Sequence, residues 1–361
     1  SFLGERPWAE TIELYSKLIR PERMATIYNW EGIPKLYDHH LCHAYYAYFG
    51  VNVDHDAEND IVFTADGWGD GRNWTVHIPD KTGQKLIELS SGNTNLVARI
   101  YRFTTLILGM KPNEHEYKVM GLAPYSNSQS HINEVISVYN DILDFENGNF
   151  ISRKALKDSY FDLKKRLEGF RFDNIAAGLQ SWSEQVTWKW MSYWIKKNKR
   201  SNVFFSGGLS MNIKANGYIL NQSDIDKLYV AASGGDESLS IGACFAQCAN
   251  TETPKQLESV YLGSKNTDHW SDRLNETSLS ASDFIEVPNI SNDDIAKLLE
   301  NGEIIARCTG KSEFGARALG ARSIIASPRN SDVVKEINDA IKNRDFWMPF
   351  TPSILEEYVS D

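Results

Sequence analysis

Cysteine is scarce in this chain. Four stand in 361 residues, Cys42, Cys244, Cys248 and Cys308, and no two are spaced as a CxxC pair. That pattern excludes a disulfide scaffold and leads us to expect buried thiols in a reducing compartment, the cytoplasm. Long apolar runs are missing as well. None approaches the ~20 residues that cross a bilayer, so a soluble protein without a membrane partner is expected. The chain also lacks an excess of positive charge: 38 Lys and Arg stand against 48 Asp and Glu, a formal −10. That is the wrong sign for a broad nucleic-acid surface. Neither an initiator methionine nor a signal peptide opens the chain at Ser1-Phe2-Leu3-Gly4, so it reads as a fragment.

What is present is ample core material, 42% hydrophobic and 12% aromatic, over a length that suits two domains. The stretch built for chemistry is Asp38-His39-His40-Leu41-Cys42-His43-Ala44. Residues four apart share a helix face, so His39 and His43 can present both imidazoles to one cation, with Asp38 as helix N-cap. Iron, zinc, copper and nickel all suit imidazole, and carboxylates from elsewhere would complete the set. Asp66 and Asp236 are the candidates. The competing reading is a surface pair, or core histidines with satisfied hydrogen bonds.

Before this helix, Ser1 to about Tyr28 reads as helix and loop without nameable chemistry. After it, Ile61 to Ala65 reads as a buried strand ending in Asp66-Gly67-Trp68-Gly69-Asp70-Gly71, with Trp74 to Ile78 returning as a hairpin. An aspartate at a strand end followed by glycines is a common way to build a phosphate or metal site, although turn chemistry alone also explains it. The segment from Ile132 to Arg171 is charged and helical, carries no site signal, and is expected to be a peripheral insertion. A long amphipathic helix is predicted from Asn174 to Asn198, its tryptophans at core spacing. It leads into the strand Asn202 to Ser206, which breaks at Gly207 and Gly208, a nucleotide-site arrangement because these residues bring no side chain to hold a phosphate off the backbone. The run Leu228 to Ala232 ends in Ser233-Gly234-Gly235-Asp236-Glu237 and opens into a helix, Leu239 to Gln247, whose N-terminus favours anions.

The periodic pattern stops around Thr251-Glu252-Thr253-Pro254, which places a domain boundary there, with domains 1–253 and 254–361. A helix from Asp293 to Asn301 precedes a strand, Glu303 to Arg307. Residues 307–344 then hold eight basic side chains against four acidic ones. A local excess of that sign suits a small anion such as phosphate.

Several motifs together carry a resemblance. His39 to Ala44, Lys118 to Tyr125, Ser206 to Asn212 and Gly234 to Glu237 look like successive motifs of the O-carbamoyltransferases of the NodU/CmcH family. Gly310 to Ile324 resembles that family's most distinctive stretch, and Asn338 to Leu355 its continuation. The resemblance implies an α/β protein with an actin-like ATPase domain, as in the threonylcarbamoyl transferases, followed by a partial YrdC-like α/β domain. It implies that ATP and carbamoyl phosphate give carbamoyladenylate, and that the carbamoyl group passes to a hydroxyl of a small-molecule acceptor. Carried over by position, His39, His43, Asp66 and Asp236 would bind a divalent metal, iron. Gly207, Gly208 and Asn212 would hold the adenylate, and Arg317, Arg322 and Lys342 the carbamoyl phosphate. A homodimer is expected, and no nucleic-acid partner. The family's upstream His-Asp motif has no counterpart before Asp38, the chain stops inside the second domain, and Met348 stands where arginine is common. The rival readings are a threonylcarbamoyl transferase acting on tRNA, and a metal- or nucleotide-binding protein without turnover.

Overall fold

The computed structural model describes residues 35–264, 285, 287, 289–330 and 332–358. The expected N-terminal helix and loop, Ser1 to Tyr28, lie outside the described residues. The described chain begins with helix α1 (His39–Phe49) and forms an antiparallel meander of β1 (Asp60–Gly69), β2 (Arg72–Pro79) and β3 (Leu86–Gly92). Helices α2 (Val97–Ile107), α3 (Glu116–Leu122) and α4 (Gln129–Ile142) follow, then a small hairpin of β4 (Asp144–Glu146) and β5 (Asn149–Ile151), then α5 (Phe161–Leu167) and the long α6 (Phe172–Asn198). Next come β6 (Asn202–Ser206), α7 (Ile213–Leu220), β7 (Lys227–Val230) and α8 (Leu239–Cys248). The sheet order is β3-β2-β1-β6-β7, with β1, β6 and β7 parallel, so this is an α/β fold on a mixed sheet.

Strand alternation decides which layer each residue joins. Ile61, Phe63 and Ala65 of β1 point with Val203 and Phe205 of β6 into a core capped by α2, α4 and α6. Val62 and Phe204 point the other way, under α1 and α8, with Ala44, Tyr46, Phe49 and Phe245. The tryptophan stripe of α6 is core: Trp182 and Trp190 are fully buried. The α1 and α8 helices meet at Gly242, where an added Cβ would stand 2.0 Å from the carbonyl oxygen of Cys42. Alanine would gain about 1 kcal/mol of helix propensity, but overpacking against backbone costs about 1–3 kcal/mol or more. Gly242→Ala should therefore lower the thermal midpoint; an unchanged midpoint would mean that the two helices separate freely.

Two expectations are corrected here. The segment 132–171 is not a peripheral insertion, because Val135, Tyr139 and Ile142 recur at helical spacing on one face of α4 and join the main core with Phe145, Leu163 and Leu167. Most of its charged side chains, among them Glu134, Glu146 and Arg153, face solvent. Buried thiols were expected, yet only Cys42 is buried; Cys244 and Cys308 are exposed and Cys248 half-buried, because the latter three fall on outward-facing positions of α8 and on β8 (Ile305–Cys308).

Beyond Pro254 the described chain returns to the first layers. Gln256 bonds both backbone groups of Val53, and Leu257 N–H donates to Phe49 O at 3.1 Å. Helix α9 (Asn292–Glu300) has a Ser291 capping box and no buried residue. The antiparallel ribbon of β8 and β9 (Arg322–Ile325), the helix α10 (Val333–Glu336), which continues as a π-turn over Ile337–Lys342, and a short helical turn, Glu356–Tyr358, follow in the described C-terminal part.

Candidate metal centre

The start of α1 is over-determined. Asp38 caps it, accepting from Leu41 N–H at 2.9 Å, and is itself held by Arg72 at 2.6 Å, which also pairs with Glu88 at 2.7 Å. Asp70, in a left-handed turn at φ 48°, accepts from His39 N–H at 2.8 Å. These contacts aim the first turn of α1 over the carboxyl end of β1. There the alternation that sends Ala65 into the core turns Asp66 toward α1.

His43 Nε2 lies 3.3 Å from Asp66 Oδ2 and 3.5 Å from Asp236 Oδ1. His39 Nε2 is 4.0 and 3.6 Å from the same two atoms. Ligand atoms of all four residues fall within 4.8 Å of one another, a spread that one cation with bonds of roughly 2.0–2.2 Å can bridge. The cluster thus draws on α1, on the end of β1, and on the turn Asp236–Ser238 that opens α8. Both Nε2 atoms are buried and make no hydrogen bond of good geometry. Two orphaned imidazole nitrogens facing two carboxylates fit a divalent cation, since each lone pair lacks a partner and the two negative charges balance the ion.

The electrostatics agree. Burial raises the Asp66 carboxyl, but the adjoining His43 imidazole and the N–H groups of Gly208 and Gly67 outweigh it and hold the group at about 2. Burial lowers His43, yet the adjoining carboxylates of Asp236 and Asp66 bring it above its ordinary value. His39 is lowered by burial and by the neighbouring His43.

The glycine-pair loop is bound to this cluster: Gly208 N–H donates to Asp66 Oδ2 at 2.8 Å. Gly207 has φ +94°, and a Cβ there would lie 2.2 Å from Ala65 O, so the residue is required where β6 leaves the sheet beside β1. Asn212 spends its carboxamide inside the protein, accepting from Ala215 N–H at 3.0 Å and pairing with Gln180 at 2.9 and 3.1 Å. The anion candidates stand on separate segments. Arg322 donates to the carbonyls of Thr309, Gly310 and Ala321, while Arg317 and Lys342 are exposed, on a loop and on the π-turn.

Sequence reasoning missed the residues that organise these segments. Glu313 Oε1 accepts the N–H groups of Leu319, Ala321 and Arg322 at 2.9, 2.6 and 3.0 Å and so closes the loop that carries Arg317. Burial raises its carboxyl, but those backbone donors prevail and hold it at about 2. Lys118 pairs with Asp345 at 2.9 Å, and Trp347 Nε1 donates to Lys118 O at 3.2 Å. The motif around α3 and the stretch near Met348 therefore dock on each other, which no local spacing announces.

The α/β fold thus carries, at the carboxyl ends of its strands and beside a glycine loop, a two-histidine, two-aspartate cluster able to hold a metal ion. The chain belongs to the carbamoyltransferase family: the family's N-terminal part, described as "Carbamoyltransferase N-terminus", matches residues 9–245, and its "Carbamoyltransferase C-terminus" matches residues 296–361. It is 29% identical to an uncharacterized protein of Methanocaldococcus jannaschii, over 89% of this chain and 56% of that one. It is 29% identical to nodulation protein NolO of Bradyrhizobium diazoefficiens, over 90% and 59%, and 32% identical to nodulation protein U of Azorhizobium caulinodans, over 45% and 27%. The chain thus spans little more than half the length of the curated relatives it matches. Among solved structures it is similar to full-length HypF in the phosphate- and nucleotide-bound form, at 16% identity and a TM-score of 0.37 over 69% of this chain and 50% of that one. Among the described residues no helix is long and apolar enough to cross a membrane.

Proposed function

We propose that this chain carries the metal and nucleotide site of an ATP-dependent O-carbamoyltransferase. In this reading residues 1–253 form an actin-like ATPase domain, a layout the mixed sheet supports, and residues 254–361 form part of a YrdC-like domain. ATP, carbamoyl phosphate and water yield carbamoyladenylate, phosphate and pyrophosphate; an acceptor hydroxyl then attacks the carbamoyl carbon and expels AMP. The observation that carries the reading is the convergence of His39, His43, Asp66 and Asp236 from three separate stretches onto one space, in a chain of this family.

Those four residues would hold a divalent cation, iron by family resemblance, which supplies Lewis acidity toward adenylate oxygens and a carbonyl under attack. The chain's own residues do the rest. Gly208 links the glycine loop to Asp66 through its N–H, so adenylate held by Gly207, Gly208 and the Asn212 turn would lie against the cluster. Glu313 fixes the loop from which Arg317 projects, and a guanidinium there suits the phosphate that must leave carbamoyl phosphate. Arg322 and Lys342 would complete that anion site, and the acceptor is a small hydroxylated molecule.

The test is pyrophosphate release by the full natural chain given ATP, carbamoyl phosphate and iron(II) without an acceptor. Release should require carbamoyl phosphate and fall at least tenfold in Arg317→Ala, about 1.4 kcal/mol of lost stabilisation. ATP binding without release would instead favour a binding protein.

A further inference from the structure

The α1 face of the sheet carries a row of hydroxyls that the reading above does not use. Strand register sets Thr64 of β1 opposite Thr75 of β2 on one side and Ser206 of β6 on the other. All three are fully buried. Burying a hydroxyl is costly unless it is bonded, and valine would fill the volume of Thr64 or Thr75 without that cost. Packing therefore does not explain the row.

Each member meets an imidazole or leads to one. Thr64 Oγ1 lies 2.7 Å from His40 Nδ1 and 2.6 Å from Thr75 Oγ1, which in turn lies 2.9 Å from His77 Nε2. Ser206 Oγ lies 3.4 Å from His43 Nδ1 and donates to Gly234 O at 3.4 Å. A serine whose proton is committed to Gly234 can only accept from His43. That places the ring proton on Nδ1 and leaves the Nε2 lone pair facing Asp66 and Asp236. Thr64 acts through His40, which lies between His39 and His43 on α1. Holding the His40 ring fixes the rotation of α1 about its axis, and with it the direction of both flanking rings.

We infer that the row Thr75, Thr64 and Ser206 is the positioning element of the metal site: it sets the tautomer of His43 and the rotation of α1 that aims His39 and His43 between the two aspartates. This rests on the metal reading above, so the experiment separates the two. Cobalt(II) is titrated into the full chain and into Ser206→Ala, Thr64→Val and Thr64→Ser, reading affinity and the visible spectrum of the bound ion, with the thermal midpoint of each metal-free protein as a check on folding. Wild type should bind one equivalent. Ser206→Ala and Thr64→Val should bind about 10–100-fold more weakly with an altered spectrum, and Thr64→Ser, which keeps the hydroxyl, should recover most of the affinity. No binding by wild type overturns the metal reading itself. Wild-type affinity and spectrum in Ser206→Ala and Thr64→Val, or equal losses in Thr64→Ser and Thr64→Val, overturn the positioning role alone. Should Thr64→Val fail to fold, Ser206→Ala, at the edge of the row, decides.

Discussion

Replacing His43 by alanine should abolish stoichiometric binding of a divalent cation, with affinity falling by more than about 100-fold, since loss of an outer-shell partner alone costs about 10–100-fold. His43 is the larger loss of the two histidines. Its ring is fully buried and 3.3 and 3.5 Å from the two carboxylates, whereas His39 keeps 13% side-chain exposure and stands at 3.6 and 4.0 Å. His39→Ala should therefore weaken binding less. The protein without metal should suffer too, because the neighbouring His43 imidazole helps hold Asp66 at about 2 instead of 3.8. Losing part of that shift costs on the order of 1–2 kcal/mol. Calorimetric titration with iron(II) under nitrogen, and urea unfolding in chelator, check both. Equal affinities in wild type and His43→Ala would mean that the cluster is only a hydrogen-bonded group.

His77 gives the second large effect, on acid stability. It is 1% exposed, in the middle of β2, and burial pushes its ring down to about 4. A histidine whose folded value lies below its unfolded 6.5 stays neutral in the native chain while the unfolded chain takes up a proton. Stability is therefore intact above 6.5 and is lost as pH falls toward 4. One such proton costs about 1.4 kcal/mol per pH unit, about 3 kcal/mol across the window, a large share of a total of about 5–15 kcal/mol. His40, also pushed down to about 4 by burial and then by His39 and His43, adds a slope of the same sign. His77→Gln keeps a polar partner for Thr75 and removes the titration. Urea unfolding in chelator at pH 6.5 and pH 5 should show a slope smaller by about one proton than in wild type; an unchanged slope would mean that His77 is protonated in the folded state.

Local signals were legible where chemistry and periodicity coincide. The Asp38 cap, the four-residue spacing of His39 and His43, the tryptophan stripe of α6 and the break of β6 at a glycine pair all follow from the chain's own neighbours. The charged stretch 132–171 misled, because charge marks only the outer face of α4 and hides the apolar spacing of Val135, Tyr139 and Ile142. The glycine pair was read as room for a ligand; at Gly207 the fold gives it a different necessity, the approach of the Ala65 carbonyl. Asn212 was assigned to the adenylate, and the fold also employs its carboxamide as a helix cap and as the partner of Gln180.

By itself the sequence determined the helix that offers two imidazoles, the strands and their turns, and a family resemblance spread from His39 to Leu355. Only the tertiary structure decided that Asp66 and Asp236, 170 positions apart, meet those imidazoles, and that Thr75, Thr64 and Ser206 align beneath them. The reason is register. A pairing slipped by one residue would turn Thr64 and Asp66 to the opposite face of the sheet, and register is fixed by long-range strand pairing and core packing that no local spacing contains.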